Sequence, residues 1–279
     1  MSFTLESIVT EPDRSPPRLI MFGPEGVGKT KWAIQAPKPI VIPTEQGQGR
    51  ETYARFPQVG RFQDVVDAIT LLLKEKHDYQ TVVLDTLSRL EQLVHAEIRE
   101  ACRKDTKGGD IFANYGKGYK MVPPYFERLI RGLNLLKAKG MMVIVLGHSE
   151  ITRFEPPDTS AYDRYSLNCH KFIRDMLFQW CDAMFLANYK VFTKEEETGF
   201  NQTRTLGVGT GQRVIYTEER PTHLAKNRFD LPYEVPMPKA FDWHGLLAAM
   251  GKLPPWGPEQ AEAEQGTQQS LANEKEGTV

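Results

Sequence analysis

The segment Gly23-Pro24-Glu25-Gly26-Val27-Gly28-Lys29-Thr30 satisfies the spacing G-x-x-x-x-G-K-[ST] at every fixed position, and it directly follows the apolar run Leu19-Ile20-Met21-Phe22. A strand that empties into such a loop, with a helical stretch from Trp32 to Gln35 behind it, is the context that gives this spacing its meaning. The glycines let successive backbone N–H groups close around phosphate oxygens. Lys29 carries a cation to the β- and γ-phosphates, and the Thr30 hydroxyl is placed to hold Mg²⁺. A helix beginning at the loop adds the positive end of its dipole. The ligand this implies is a nucleoside triphosphate.

Continuous apolar runs recur at Ile40–Ile42, Thr81–Leu84, Met142–Leu146 and Ala183–Leu186, the form of strands buried on both faces. Amphipathic patterns lie between them. Val65, Val66, Ile69, Leu72 and Leu73 make one apolar face, Leu87, Leu90, Leu93, Val94 and Ile98 a second, and Phe126, Leu129, Ile130, Leu133 and Leu136 a third. Pro123 and Pro124 suit the start of the third helix and Gly140 its end. Strand alternating with helix predicts an α/β fold, a mainly parallel sheet flanked by helices, with ligands outside the carboxyl ends of the strands. After Tyr189 the segments shorten, with turn residues at Thr198-Gly199 and from Gly207 to Gly211, which predicts an antiparallel C-terminal extension. The division expected is an N-terminal arm over 1–17, a core over 18–231, a segment over 232–256 packing on that core, and a disordered acidic tail over 257–279.

Formal charge is −1, so no whole-molecule field attracts nucleic acid and any such binding has to come from local basic patches. Cys102, Cys169 and Cys181 are odd in number and lack C-x-x-C spacing, which argues against a disulfide framework or a zinc site. With no signal pattern and no apolar run long enough to span a bilayer, the expectation is a cytoplasmic protein away from the membrane.

Asp85 ends the apolar run Thr81–Leu84, the form of a second nucleotide motif (Walker B) that holds Mg²⁺ through water. A strand-to-loop junction also favours Asp for local reasons, and the phosphate loop tips the reading toward metal. Glu45 and His148 follow other strands and emerge at the same edge as Lys29. Glu45 is open to two readings, a base that orients water or a solvated loop carboxylate, and His148 to a γ-phosphate sensor or a surface histidine. Two stretches that carry cations and aromatic rings among acidic residues leave that edge as long loops. The first, Arg99 to Lys120, carries Arg103, Lys104, Lys107, Phe112, Tyr115, Lys117, Tyr119 and Lys120; the second, Ser149 to Asn168, carries Arg153, Phe154, Tyr162, Arg164 and Tyr165. Cations on phosphates with rings stacked on bases suit single-stranded DNA, and solvated surface loops are the alternative. Lys226 and Arg228, in Lys226-Asn227-Arg228, could reach a neighbour's γ-phosphate or form a surface turn.

The ordered set Gly23–Thr30, Glu45, Asp85, His148 and Lys226–Arg228 resembles the RecA-like P-loop ATPase core, over Arg18 to Leu231, and is most similar to phage AAA-domain ATP-binding proteins and RecA-like single-strand annealing recombinases. The resemblance implies ATP and Mg²⁺ as cofactors, Glu45 as catalytic glutamate and His148 as sensor. It also implies Lys226 and Arg228 as the pair reaching an adjacent protomer's nucleotide, with the two stretches 99–120 and 149–168 as DNA-binding loops. Its implied partners are single-stranded DNA, further copies of the chain in a ring or filament, and a single-strand-binding protein. The function implied is ATP-dependent annealing or recombination. A small-molecule kinase, which uses the same phosphate loop, and a helicase-like or loader ATPase acting through protein partners remain as alternatives; with no recognisable helical amino-terminal domain or primase-binding domain, the resemblance implies neither full strand exchange nor replicative unwinding.

Overall fold

A computed structural model describes residues 12–46, 50–104, 109–113, 116–197, 203–254 and positions 8, 10 and 256; at 192–197, 203–208 and 210 it describes the backbone only. In chain order the strands are β1 (Arg18–Gly23), β2 (Pro39–Pro43), β3 (Thr81–Asp85), β4 (Met142–Phe154), β5 (Tyr162–Leu167), β6 (Ala183–Glu197), β7 (Thr203–Tyr216), β8 (Lys226–Asn227) and β9 (Glu234–Pro236). The helices are α1 (Lys29–Ala33), α2 (Phe62–Lys74), α3 (Leu87–Cys102), α4 (Pro123–Ala138), α5 (Lys171–Trp180) and α6 (Trp243–Ala249). Along the sheet the order is β2-β3-β4-β1-β6-β7-β9, with β5 on β4 and β8 on β6. β2, β3, β4, β1 and β6 run parallel, and β7, β8 and β9 are antiparallel additions.

The period of two along each strand divides the apolar residues between two cores. Ile20, Phe22, Val143 and Val145 face a layer made by α2 to α5, whereas Leu19, Met21, Ile144 and Leu146 face α1 and α6. All eight are fully buried, each contributing about 1.5–3 kcal/mol by leaving water. On the second face Trp32 and Trp243 meet at 4.3 Å between ring centroids, which fixes α6 against the helix behind the phosphate loop.

α3 lies across the amino ends of its neighbours. Its Glu97 accepts the Phe62 N–H at the start of α2 at 2.7 Å, and its buried Glu91 accepts the His170 N–H at the start of α5 at 3.0 and 3.1 Å. Helix starts expose unpaired N–H groups and a positive dipole end, so carboxylates there are stabilising. Burial nevertheless pushes the Glu91 carboxyl upward, against the lowering effect of that backbone hydrogen bond.

The structure departs from the sequence expectations in three places. Residues 149–168 are mostly a hairpin: β4 continues to Phe154 and pairs with β5 in register from Ser149↔Leu167 to Phe154↔Tyr162, leaving 155–161 as the connection. In the first arm exposure rather than polarity follows the strand period, with Ile151 and Arg153 exposed and Thr152 and Phe154 half-buried. In the first basic stretch α3 runs on to Cys102 and Lys117–Met121 forms a short 3₁₀ helix. The stretch from Gly207 to Gly211, expected as a turn, lies inside β7. A register shift there sets Tyr189↔Arg213 beside Val191↔Gly209, and Gly211 takes φ +70° in the irregularity. Thr198, Gly199 and the tail over 257–279 lie outside the described residues.

Candidate active site

Strand register explains how four distant segments meet. Pro43, Asp85, Leu146 and Met21 lie in one row across β2, β3, β4 and β1. Two residues further, and so on the same side of the pleat, are Glu45 and His148. β3 has already ended at Asp85, and Glu45 and His148 close the gap above it. His148 Nε2 lies 2.9 Å from Glu45 Oε1, and the Thr86 hydroxyl donates to the same oxygen at 2.5 Å. The carboxylate can only accept, so the histidine carries its proton on Nε2. Its Nδ1 is buried without a partner among the described residues.

Thr44 and Thr86 lock this corner. Thr86 N–H donates to Thr44 Oγ1 and that hydroxyl donates to Thr86 O, both at 2.7 Å, while Thr44 N–H donates to Asp85 O at 2.7 Å. Thr86 also caps α3, accepting the Arg89 N–H at 3.4 Å. Below it, His148 N–H donates to Ser88 Oγ at 3.2 Å and Ser88 donates to Asn168 O at 2.8 Å, tying β4 to the far arm of its hairpin. Sequence reasoning missed Thr44, Thr86 and Ser88. The N-cap threonine ahead of an apolar helix pattern was the signal available for Thr86.

The phosphate loop has the shape its glycines permit. Gly26 and Gly28 take φ +74° and +103°, values that side-chain-bearing residues rarely adopt, and a Cβ on Gly23 would stand 2.2 Å from the Ala187 carbonyl oxygen. Lys29 is buried and donates from Nζ to Gly23 O and Pro24 O, both at 2.9 Å. Burial lowers its pKa, while Asp85, Glu45 and Glu25 oppose that shift. Thr30 Oγ1 donates to Asp85 Oδ2 at 2.7 Å. A hydroxyl and a carboxylate held together beside a phosphate loop are the oxygen donors Mg²⁺ takes, so the residues fit MgATP. α1 is five residues long, and the loop N–H groups rather than a long helix dipole supply the anion cradle.

The electrostatics separate the two carboxylates. The His148 hydrogen bond holds the Glu45 carboxyl below the ordinary range, with Thr86 and Lys29 acting the same way and burial opposing. Burial pushes Asp85 upward, partly offset by the Thr30 hydroxyl. The two carboxyls are thus shifted in opposite directions, Glu45 toward the ionised form and Asp85 toward the protonated one. A cavity of about 1110 Å³ collects Gly28, Lys29, Thr30, Glu45, Asp85 and His148 on one wall and Tyr53 and Arg55 on another.

A family model described as an AAA domain matches residues 15–229. The chain belongs to that family. Similar solved structures include the RadB recombinase, 15% identical with a TM-score of 0.43 over 81% of this chain and 90% of that one. Another is the flagellar accessory protein FlaH from Methanocaldococcus jannaschii, 8% identical with a TM-score of 0.34 over 80% and 90%. No curated protein matches the chain.

The remaining candidates of this AAA-domain chain lie apart from the cradle. Lys226 and Arg228 are at the opposite, amino edge of the sheet, where Met184↔Lys226 and Ala183↔Asn227 pair at the start of β6. Lys226 Nζ donates to Phe178 O at 2.5 Å, Cys181 O at 2.7 Å and Gln179 O at 3.3 Å, so within this chain it caps the carboxyl end of α5. Arg228 is half exposed, 3.7 Å from Asp182, which is itself bound by Arg18.

Of the first basic stretch, Phe112 is buried, 4.4 Å from the His95 ring and 5.0 Å from the Tyr119 ring. It is a core residue and not a free platform for a base. Tyr119 stacks on His170 at 4.4 Å. Arg103, Lys104, Lys117 and Lys120 are exposed, and Lys107 and Tyr115 lie outside the described residues. On the hairpin, Arg153 is exposed and 3.4 Å from Asp163, while Arg164 is mostly covered, pairing with Glu219 at 2.8 Å over the Phe154 ring. Tyr162 and Tyr165 are half-buried. No described helix is long and apolar enough to cross a membrane.

Proposed function

We propose that this protein hydrolyses ATP with Mg²⁺ and uses the cycle to grip and release single-stranded DNA during annealing or recombination, acting as a homo-oligomer. One observation carries the reading. The carboxylate suited to act as base, Glu45, is bonded to His148, and His148 sits in the middle of β4, whose outer half is an arm of the hairpin that carries Arg153 and Arg164.

The chemistry follows from the side chains. Lys29 exchanges its carbonyl partners for phosphate oxygens, a trade that favours the charged form in a buried place. Thr30 and Asp85 would hold Mg²⁺, which when bound neutralises phosphate charge. Glu45, kept ionised by His148 and Thr86, orients the attacking water and takes up its proton. As Glu45 changes its partners, the bond to His148 changes with it. The rigid strand then passes that change to 149–167, where Arg153 is exposed.

Steady-state hydrolysis measured with and without a long oligonucleotide tests the reading. Stimulation is expected, with DNA affinity falling against salt at a log–log slope of about −0.7 per phosphate contacted. ATP consumption that is identical in both conditions, with no DNA retained, would remove the DNA half and leave an ATPase.

A further inference from the structure

Beside the nucleotide cavity is a second, polar cavity of about 660 Å³. The two share Glu25, Glu45, Gln46, Gln58 and His148 along their rims. The cation of the second cavity is Arg89, in the first turn of α3. Its backbone N–H is bound by Thr86 Oγ1, the hydroxyl that also holds Glu45. Its exposed guanidinium donates to Gln92 Oε1 at 2.8 Å and has no carboxylate or ring partner among the described residues. The neighbouring cations are otherwise engaged: Lys31 pairs with Glu51 at 2.7 Å, and Arg55 lies 5.6 Å from the Tyr53 ring.

Charge makes this arrangement informative. Glu25, Glu45 and Asp85 bring three carboxylates to the nucleotide cavity, where Lys29 is the cation buried in the cradle. Phosphoryl transfer spreads negative charge over the γ-phosphate oxygens, and a mobile cation that arrives as this charge develops lowers the barrier. Lys226 and Arg228 of the same chain are at the far edge of the sheet, and Lys226 is occupied by α5.

We infer that Arg89 is a catalytic residue acting in cis: its guanidinium leaves Gln92 and contacts the γ-phosphate in the transition state, on the side of Glu45 and His148. The inference rests on the ATPase reading above. Arg89 makes no contact with the ground-state cradle, so its removal falls on turnover and leaves nucleotide binding intact.

The test compares wild type, Arg89→Ala and Arg89→Lys for steady-state hydrolysis, ADP affinity, and affinity for ADP with aluminium fluoride and Mg²⁺, a mimic of the transition state. Arg89→Ala is expected to lose on the order of 10³-fold in kcat, to bind ADP as wild type does, and to lose the gain in affinity that aluminium fluoride brings. Arg89→Lys should recover part of both losses. Mixing Arg89→Ala with Lys29→Ala protein should restore nothing, since both groups serve the same protomer's nucleotide. Arg89→Ala turning over within about threefold of wild type, or retaining the aluminium fluoride gain, overturns the inference while leaving the ATPase reading intact. Recovery on mixing overturns the cis assignment. A wild-type protein that hydrolyses no ATP sinks both together.

Discussion

Replacing Glu45 by Gln separates catalysis from architecture, because both hydrogen bonds the carboxylate accepts converge on one oxygen. Thr86 Oγ1 at 2.5 Å and His148 Nε2 at 2.9 Å both meet Oε1, and the amide oxygen of Gln can accept the same two. What the substitution removes is charge. Charge-assisted bonds are roughly twice as strong as neutral ones, so the structural loss is on the order of 1 kcal/mol before screening. The Glu45 side chain is 37% exposed, which reduces that figure further. The chemical loss is larger: a positioned base contributes about 10²–10⁴-fold, equivalent to about 2.7–5.4 kcal/mol of barrier. Glu45→Gln should therefore bind ATP with near wild-type affinity, melt within a degree or two of wild type, and lose at least about 100-fold in kcat. Stopped-assay hydrolysis, equilibrium binding of a fluorescent ATP analogue and thermal denaturation read the three quantities. Unchanged kcat would refute the assignment of the base. A parallel loss of binding and turnover would refute the separation, making Glu45 part of the cradle.

The other expectations follow from the same contacts. Lys29→Ala should abolish measurable ATP binding, since it removes the cradle's buried cation; equilibrium dialysis showing wild-type affinity would contradict this. His148→Ala removes the largest influence lowering the Glu45 pKa. Glu45 must be ionised to act, and a depressed carboxyl also contributes stability that is present above its unfolded pKa and lost as pH falls through the folded one. The wild-type acid limb of the pH–rate profile should lie below the ordinary 4.5 and move upward in His148→Ala. An unmoved limb would mean that Glu45 is not the titrating group. Lys226→Met should cost about 1–3 kcal/mol in urea denaturation by leaving the end of α5 uncapped, with ATP affinity unchanged; equal stability would mean that the three carbonyls are satisfied by water.

The sequence made the cradle legible because its constraints are local. A loop that must expose N–H groups needs glycine at particular φ values, and Gly26 and Gly28 have those values for that reason. The parallel strands were legible too, since burial on both faces leaves an uninterrupted apolar run. Less legible was everything that depends on register between strands. That Glu45 and His148 would touch follows from β3 ending at Asp85, two residues short of their level, which no window of sequence states. Lys226-Asn227-Arg228 shows the converse hazard. Its spacing resembles a family motif, but within the chain the lysine lies beside a helix end and binds three carbonyls there. Phe112 misled for a related reason: a ring in a glycine-rich basic stretch looks free until His95 and Tyr119, contributed by separate elements, close over it. Spacing fixes which groups a segment carries, and the unpaired backbone and aromatic surface around it decide which of them remain free for a ligand. By that measure Arg89, exposed in a cavity that shares Glu45 and His148 with the nucleotide cavity and bonded to Gln92 among the described residues, remains available to a ligand, whereas Lys226 Nζ is engaged by three carbonyls of its own chain.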